Sequence, residues 1–245
     1  MLIPFGVEDN EYTVSHRAPI YQVYQPAGAR TCGFSALIYV LQTLEQLPPA
    51  WGGLSQDDLL KCVIQEAMRY PSVVTHMGEV FCPETFLEFI TSMVPALNCR
   101  VRDWVPLYQI GQEDLESTIT RDIIHVINRE GIVMVPFNVR DNGQPSPVPL
   151  DGGAHWCAIV GHGTGTPSGI SFLVKQAGRE YRMDAFDLIH SNAYIGSYPL
   201  NRAGTHTDRC YETLLPNGFH VQHLFTKAEA EEVKQLNKKM IYFFP

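Results

Sequence analysis

Residues 31–47 read TCGFSALIYVLQTLEQL, and this stretch predicts a helix that lies inside the protein. Its apolar side chains recur nearly all round the helix, which is the pattern of a buried one. Pro48 and Pro49 end it, because proline cannot continue a helix. Cys32 falls in the first turn, where unpaired backbone N–H groups and the positive end of the helix dipole favour a thiolate. The stretch therefore predicts a core element and a candidate nucleophile together.

Three more helices are expected in the first half of the chain. They cover residues 55–70, a stretch that follows Pro83, and residues 112–128. Apolar residues recur at helical spacing in each, and Ser55 with Asp58 is typical of a capped helix start. The first half is therefore expected to be mainly helical.

The second half changes to short β-rich runs bounded by Gly and Pro. These runs lie at residues 132–139, 155–160, 171–176, 179–184, 219–225 and 240–244. Ala177 and Gly178 predict a hairpin turn, and residues 227–239 predict a helix between the last two strands. Helices followed by antiparallel strands predict an α+β fold, in which an N-terminal helical lobe packs on a C-terminal sheet.

Composition limits the domain organisation and the class of partner. The chain has 245 residues and a formal net charge of −8, with 45% hydrophobic residues. No linker-like tract interrupts it, so we expect one domain over residues 1–245, helical over about 30–130 and sheet-rich over about 131–245. A basic stripe is absent from the sequence, which argues against nucleic-acid binding.

The same sequence argues against a membrane or secreted protein. It contains no apolar run of membrane-spanning length and no signal-peptide pattern at its start. Its six cysteines are scattered, several of them within apolar segments, which suits reduced thiols better than a disulfide framework. We therefore expect a cytoplasmic protein.

Two further residues could complete a nucleophilic site with Cys32. His155 begins an apolar strand after a Gly-rich loop, and an imidazole there could accept the thiol proton and later protonate a leaving amine. Gln176 ends the next strand, and its amide oxygen could orient the imidazole. For Cys32 alone, a role as a small packing residue at a helix start stays open.

The order Cys, His, amide is that of papain-like cysteine peptidases, and the chain resembles the actin maturation protease family in particular. The resemblance rests on six short matches: Thr31-Cys-Gly-Phe-Ser-Ala-Leu37, Gly78-Glu79, Val135-Pro-Phe137, Ala154-His-Trp156, Lys175-Gln-Ala-Gly178, and Asp187-Leu188 with Ser191-Asn192. It implies a papain-like fold and a peptidase that removes the N-terminal, usually acetylated, Cys or Met from nascent actin.

The resemblance also implies roles for other residues. Gln25 is expected to donate to the oxyanion beside the Cys32 backbone N–H, and Gly33 and Trp156 belong to the substrate-binding and oxyanion positions. Papain-like enzymes carry Asn as the third member, whereas this chain has the longer Gln176. No polyproline tract occurs, so profilin binding is not expected despite the Pro-rich extension of many relatives.

An actin N-terminus is acidic, so local cations must offset the repulsion from this acidic protein. Arg30 and Arg179 lie near the predicted site by sequence, as do Lys175 and Arg182. We expect one or more of them to face the carboxylates of the substrate.

No metal or cofactor is expected. His155, Cys157 and His162 are close in sequence, but they show no zinc-ligand spacing. Asp184 and Asp187 remain alternatives to Gln176 as the group that orients His155, although Asp187 is also expected to cap a short helix.

Two other functions stay open at this stage. An inactive relative of the same fold could bind a peptide end or actin without cutting it. A papain-like peptidase could also act on a different peptide substrate, since the catalytic parts would be the same.

Overall fold

A computed structural model describes residues 3–4, 12–15, 23–26, 29–72, 74–104, 112–140, 145–146, 154–193, 195 and 209–245. Side chains are described for these residues except 3–4, 112–117 and 209–210. The Gly-rich loop predicted before His155, at residues 151–153, and the side chain of Cys210 lie outside this set.

The described residues form six α-helices, and those of the first half lie where the sequence predicts them. The six are α1 (Cys32–Thr43), α2 (Gln56–Arg69), α3 (Pro83–Met93), α4 (Gln112–Asn128), α5 (Ala185–Ala193) and α6 (Lys227–Glu232). Ser55 caps α2 by accepting a hydrogen bond from the Asp58 N–H at 3.2 Å. The helix α1 ends before the predicted Leu47, because Glu45 adopts a left-handed backbone conformation.

In the part of the chain that the structure describes, ten strands form one large sheet and one hairpin. They are β1 (Ile3–Pro4), β2 (Thr13–Val14), β3 (Asn98–Asp103), β4 (Ile132–Asn138), β5 (Ala154–Gly163), β6 (Ser171–Gln176), β7 (Arg179–Asp184), β8 (Arg209–Leu214), β9 (His220–Phe225) and β10 (Lys239–Phe244). The large sheet has the order β1-β7-β6-β5-β4-β10-β3, with β2 also pairing with β5, and β8 pairs with β9. All of these pairings are antiparallel, so the predicted α+β class is confirmed.

The large sheet is covered on both faces. On one face, Trp156, Ala158 and Val160 pack with α1 and the rest of the helical lobe. On the other, Cys157 and Ile159 pack with the apolar sides of α4 and α5. The strand β4 is therefore buried along its whole length, which explains why its sequence is continuously apolar instead of alternating. The predicted lobe-on-sheet arrangement is present, and α4 and α5 add a second helical layer.

Two local predictions differ from the structure. The helix predicted at residues 227–239 ends at Glu232, and a short 3-10 helix, Val233–Leu236, leads into β10. Asp187 was expected to cap a short helix, but Asp184 is the cap: its Oδ1 accepts from the N–H groups of Phe186 and Asp187 at 2.9 and 3.3 Å.

Candidate active site

The start of α1 meets the start of β5, and this places Cys32 beside the backbone of Trp156. The Trp156 N–H hydrogen-bonds the Cys32 sulfur. Such close approach needs Gly33, because a Cβ at that position would lie 3.1 Å from Val80 Cγ2 and 3.3 Å from Trp156 Cδ1. Cys32 is half-buried as a residue.

His155 is the residue directly before Trp156, and it lies at the same end of β5 as the Cys32 sulfur. It pairs with Phe137 on β4, and the two rings meet edge to face with centroids 5.6 Å apart. The apolar ring limits how the imidazole can turn. The structure thus brings Cys32 and His155 to the same end of one strand, although the chain separates them by more than a hundred residues.

Gln176 closes β6 next to this strand end. The register pairs Ala158 with Lys175, so Gln176 continues the ladder opposite Cys157 and on the His155 face of the sheet. Its side chain is 3% exposed and lies close enough to His155 to raise the pKa of the imidazole. Gln176 Oε1 receives no well-aligned hydrogen bond from the described part of the chain, so the contact is loose, as catalytic contacts in free enzymes often are.

The two aspartates considered as alternatives lie elsewhere. Asp184 pairs with Ser171, which in turn pairs with Gly163 at the far end of β5. There it caps α5, and Asp187 lies in the first turn of that helix. Of the three candidates for orienting His155, the fold brings only Gln176 to the site.

Burial dominates the protonation of both central side chains. It lowers the pKa of His155 to about 4, an effect that the nearby Gln176 side chain reduces. Burial, with help from the negative charge of Glu79, raises the pKa of Cys32 to about 12. Backbone N–H groups of Trp156, Gly33 and Cys32 act in the opposite direction, as expected for a helix start, but their effect is smaller.

At neutral pH the free site therefore holds a neutral thiol and a neutral imidazole. Proton transfer from sulfur to imidazole within such a pair creates no net charge, so the burial that opposes each single charge opposes the ion pair less. The arrangement suits proton transfer during attack better than a permanent thiolate.

A family model for actin maturation protease-like proteins, covering their C-terminal domain, matches residues 21–163, which is more than half of the chain. The chain belongs to the actin maturation protease-like family. Membership places the chain in a peptidase family, and the matched region contains Cys32 and His155 but ends before Gln176.

The other comparisons add little. Among solved structures, one described as a C39-like peptidase from Bacillus anthracis is similar over 93% of this chain and 96% of its own length, with 9% sequence identity and a TM-score of 0.40. No curated protein matches the chain. Within the part of the chain that the structure describes, no helix is long and apolar enough to span a membrane.

The structure contradicts the expected substrate contact of the Trp156 side chain, whereas the role of Gln25 stays an expectation. The Trp156 side chain is 2% exposed and donates from Nε1 to the Val80 carbonyl at 3.2 Å, so it is a core residue and only its backbone faces the site. Gln25 Nε2 donates to the Ala29 carbonyl at 3.1 Å, which uses one of its two N–H groups. The other N–H is the one that an oxyanion would require.

The four cations predicted near the site have different surroundings. Lys175 is 1% exposed and pairs with Glu180 at 2.8 Å, so it cannot reach a substrate. Arg182 is held by the Thr164 carbonyl and lies over the Tyr12 ring. The Arg30 guanidinium lies 3.4 Å from the Glu79 carboxylate and over the Tyr211 ring. Arg179 is exposed at the start of β7, and its backbone lies opposite Gln176 in the strand register.

Sequence reasoning assigned no role to Glu79, although the Gly78-Glu79 pair was one of the family matches. In the structure its carboxylate raises the pKa of Cys32 and pairs with Arg30. Gly78 holds this segment against the helix start, since a Cβ there would lie 3.1 Å from the Arg30 carbonyl oxygen.

Proposed function

We propose that the chain is a cysteine aminopeptidase that removes the N-terminal, acetylated Cys or Met from immature actin. The observation that carries this proposal is the placement of the Cys32 sulfur at the N–H of Trp156, directly beside His155. Membership of a family named for actin maturation supports actin as the substrate.

The reaction uses the residues at the two strand ends. Neutral His155 accepts the proton of the Cys32 thiol while the sulfur attacks the carbonyl carbon after the first residue of the substrate. The Cys32 backbone N–H and the second side-chain N–H of Gln25 donate to the oxyanion that forms. The amide bond then breaks, and the imidazolium gives its proton to the leaving amine of the shortened actin.

Hydrolysis of the thioester completes the cycle. His155 removes a proton from water, the resulting hydroxide attacks the thioester, and the acyl group leaves as the free N-acetyl amino acid. The sulfur regains its proton from the imidazolium. Gln176 holds the imidazole in the tautomer and direction that both steps need.

Replacement of Cys32 tests this function. In the Cys32→Ala variant, immature actin should keep its first residue. Intact-mass measurement of the actin after incubation shows whether that residue has been removed. Cys62→Ala is the matched control, because Cys62 is also a half-buried free thiol but lies in α2. Processing by Cys32→Ala at the parent rate would contradict the proposal.

A second candidate function has one observation in its favour. The raised pKa of Cys32 and the lowered pKa of His155 are also what a non-catalytic module would show, with both side chains merely buried. Such a module would bind the actin N-terminus without cutting it. The chemical reactivity of Cys32 separates the two functions, as argued in the Discussion.

A further inference from the structure

Two histidines and a glutamate from three separate segments meet on the side of the molecule formed by the β8–β9 hairpin. His76 comes from the loop between α2 and α3, His223 from β9, and Glu229 from α6. His76 Nε2 and His223 Nε2 lie 3.3 and 3.1 Å from the same atom, Glu229 Oε1. The proposed peptidase reaction uses none of the three.

The carboxylate is fixed by its own helix. Glu229 Oε2 accepts from the backbone N–H and the hydroxyl of Thr226 at 2.8 and 2.9 Å, while the Thr226 Oγ1 accepts from the Glu229 N–H at 3.2 Å. This capping box holds one oxygen at the helix start and leaves the other, Oε1, directed at the two imidazoles.

The imidazoles are also held in place. Their rings stack with centroids 4.1 Å apart and planes within 5° of parallel. Phe225, which is fully buried, meets both rings edge to face, at 6.1 Å from His76 and 4.8 Å from His223. Because the lone pair of each Nε2 lies in its own ring plane, two parallel rings cannot both point at one ion. One imidazole must therefore turn out of the stack when an ion binds.

We propose that His76, His223 and Glu229 bind a divalent transition metal ion, with Zn²⁺ as the best match and water as the fourth ligand. Two imidazole nitrogens and one carboxylate oxygen are a known ligand set for Zn²⁺. With bonds of about 2.0–2.1 Å, the ligand atoms of a tetrahedral site lie about 3.3 Å apart. The two N···O distances agree with this value, and all three ligand atoms lie within 4.8 Å of one another.

Access to the site and its charge favour a cation. The side chains of His76, His223 and Glu229 are 28%, 25% and 21% exposed, so an ion and its water can enter. Glu232 and Glu79 line the small pocket that also contains His76, which adds negative charge near the ion. Binding requires each Nε2 to be without a proton, so each neutral imidazole carries its single ring proton on Nδ1 in the bound state.

The ion would join the loop before α3 to the hairpin and to α6. The same loop carries Gly78 and Glu79, which contact the Arg30 backbone and side chain at the start of α1. An occupied site would therefore stabilise the segment that flanks Cys32, without taking part in the chemistry.

The test is metal titration of the full chain in the Cys32→Ala background, which removes the proposed nucleophile as a competing thiol ligand. After treatment with a chelator, calorimetry with Zn²⁺ should give one ion per chain at micromolar or lower dissociation constant. Co²⁺ should develop the visible absorption of a four-coordinate site. His76→Asn and His223→Asn should each weaken binding by about tenfold or more.

His220→Asn is the matched control. His220 lies on the same strand as His223 and also contacts a glutamate, with its Nε2 3.1 Å from Glu212 Oε2, but the described residues place no second imidazole beside it. This variant should keep the parent affinity. Glu229→Gln serves if a histidine variant fails to fold, because Gln preserves the helix cap and removes the charged ligand. Parent affinity in His223→Asn or Glu229→Gln, or no binding at micromolar Zn²⁺ in the parent, would overturn the proposal.

Discussion

Burial of Cys32 determines what must activate it. With its pKa raised to about 12, the thiol alone would be almost wholly protonated at neutral pH and slow to react. Its reactivity must then come from transfer of its proton to His155, since the neutral imidazole is available as an acceptor. A cysteine that is only a packing residue would lack such a partner.

Alkylation measures this dependence directly. An iodoacetamide-type reagent at neutral pH should label Cys32 faster than the other half-buried thiols, and His155→Ala should slow labelling by about tenfold or more. Glu79→Gln should accelerate it, because the Glu79 charge raises the pKa of Cys32. Mass mapping of the labelled peptides gives the rate at each cysteine.

His162→Ala is the control for His155→Ala, because His162 is a half-buried histidine at the opposite end of β5, where it contacts Asn128. It should leave Cys32 labelling unchanged. Equal labelling of Cys32 in the parent and in His155→Ala would favour the non-catalytic binding module over the peptidase.

The hairpin of β6 and β7 sets which cation can meet the substrate. Ala177 and Gly178 both have positive φ, as a two-residue hairpin turn requires, so Gln176 and Arg179 face each other across it. Arg179 is therefore the cation whose backbone lies next to the proposed orienting residue while its side chain remains exposed.

Arg179→Glu should slow cleavage of an acidic actin-like peptide by about fivefold more than cleavage of a neutral peptide, the size of one exposed ion pair. Arg69→Glu makes the same change of net charge on α2, where Arg69 pairs with Glu66 at 3.6 Å. If both variants slow the acidic peptide equally, the effect is due to overall charge and Arg179 has no local role. Initial rates on the two peptides decide between these outcomes.

Sequence periodicity was sufficient for most elements because the decisive residues are local. The helix starts at Cys32, Ser55 and Pro83 and the turn at Ala177 each depend on a few neighbouring residues, and the structure has them where expected. The cap of the short helix α5 could not be predicted, because Asp184 is both the last residue of β7 and the cap of α5. The sequence pattern alone does not show that one residue has both roles.

Contacts across the sheet could not be predicted in the same way. Which face a buried strand presents to α1 depends on the register of β5 with β4 and β6, and β5 is apolar on both sides. For this reason Trp156 and Lys175 were predicted to lie near the substrate. In the structure both side chains are buried on the face of the sheet that packs against α1. The cluster of His76, His223 and Glu229 was missed because only the fold brings its members together.

The acid side of the stability curve of the whole protein should carry the signature of His155. Its pKa is about 4 when folded and 6.5 as a free side chain, so between these values the unfolded chain binds a proton that the folded chain does not. The contribution of His155 to the free energy of unfolding is therefore complete above pH 6.5. It decreases by roughly 3 kcal/mol as the pH falls towards 4. Carboxylates with lowered pKa values, such as Asp184 and Glu229, add to the loss at lower pH.

Replacing His155 isolates its share. Between pH 6.5 and 4, the free energy of unfolding of His155→Gln should fall less than that of the parent. The variant lacks the imidazole but keeps the carboxylates, so only the part of the pH dependence due to His155 is lost. His220→Gln, which removes a histidine whose side chain is 44% exposed, should follow the parent curve. Urea unfolding at intervals across this pH range gives the three curves. Parallel curves for the parent and His155→Gln would mean that the imidazole takes up its proton as readily in the folded site as in water, and would remove the burial on which its role as a neutral proton acceptor depends.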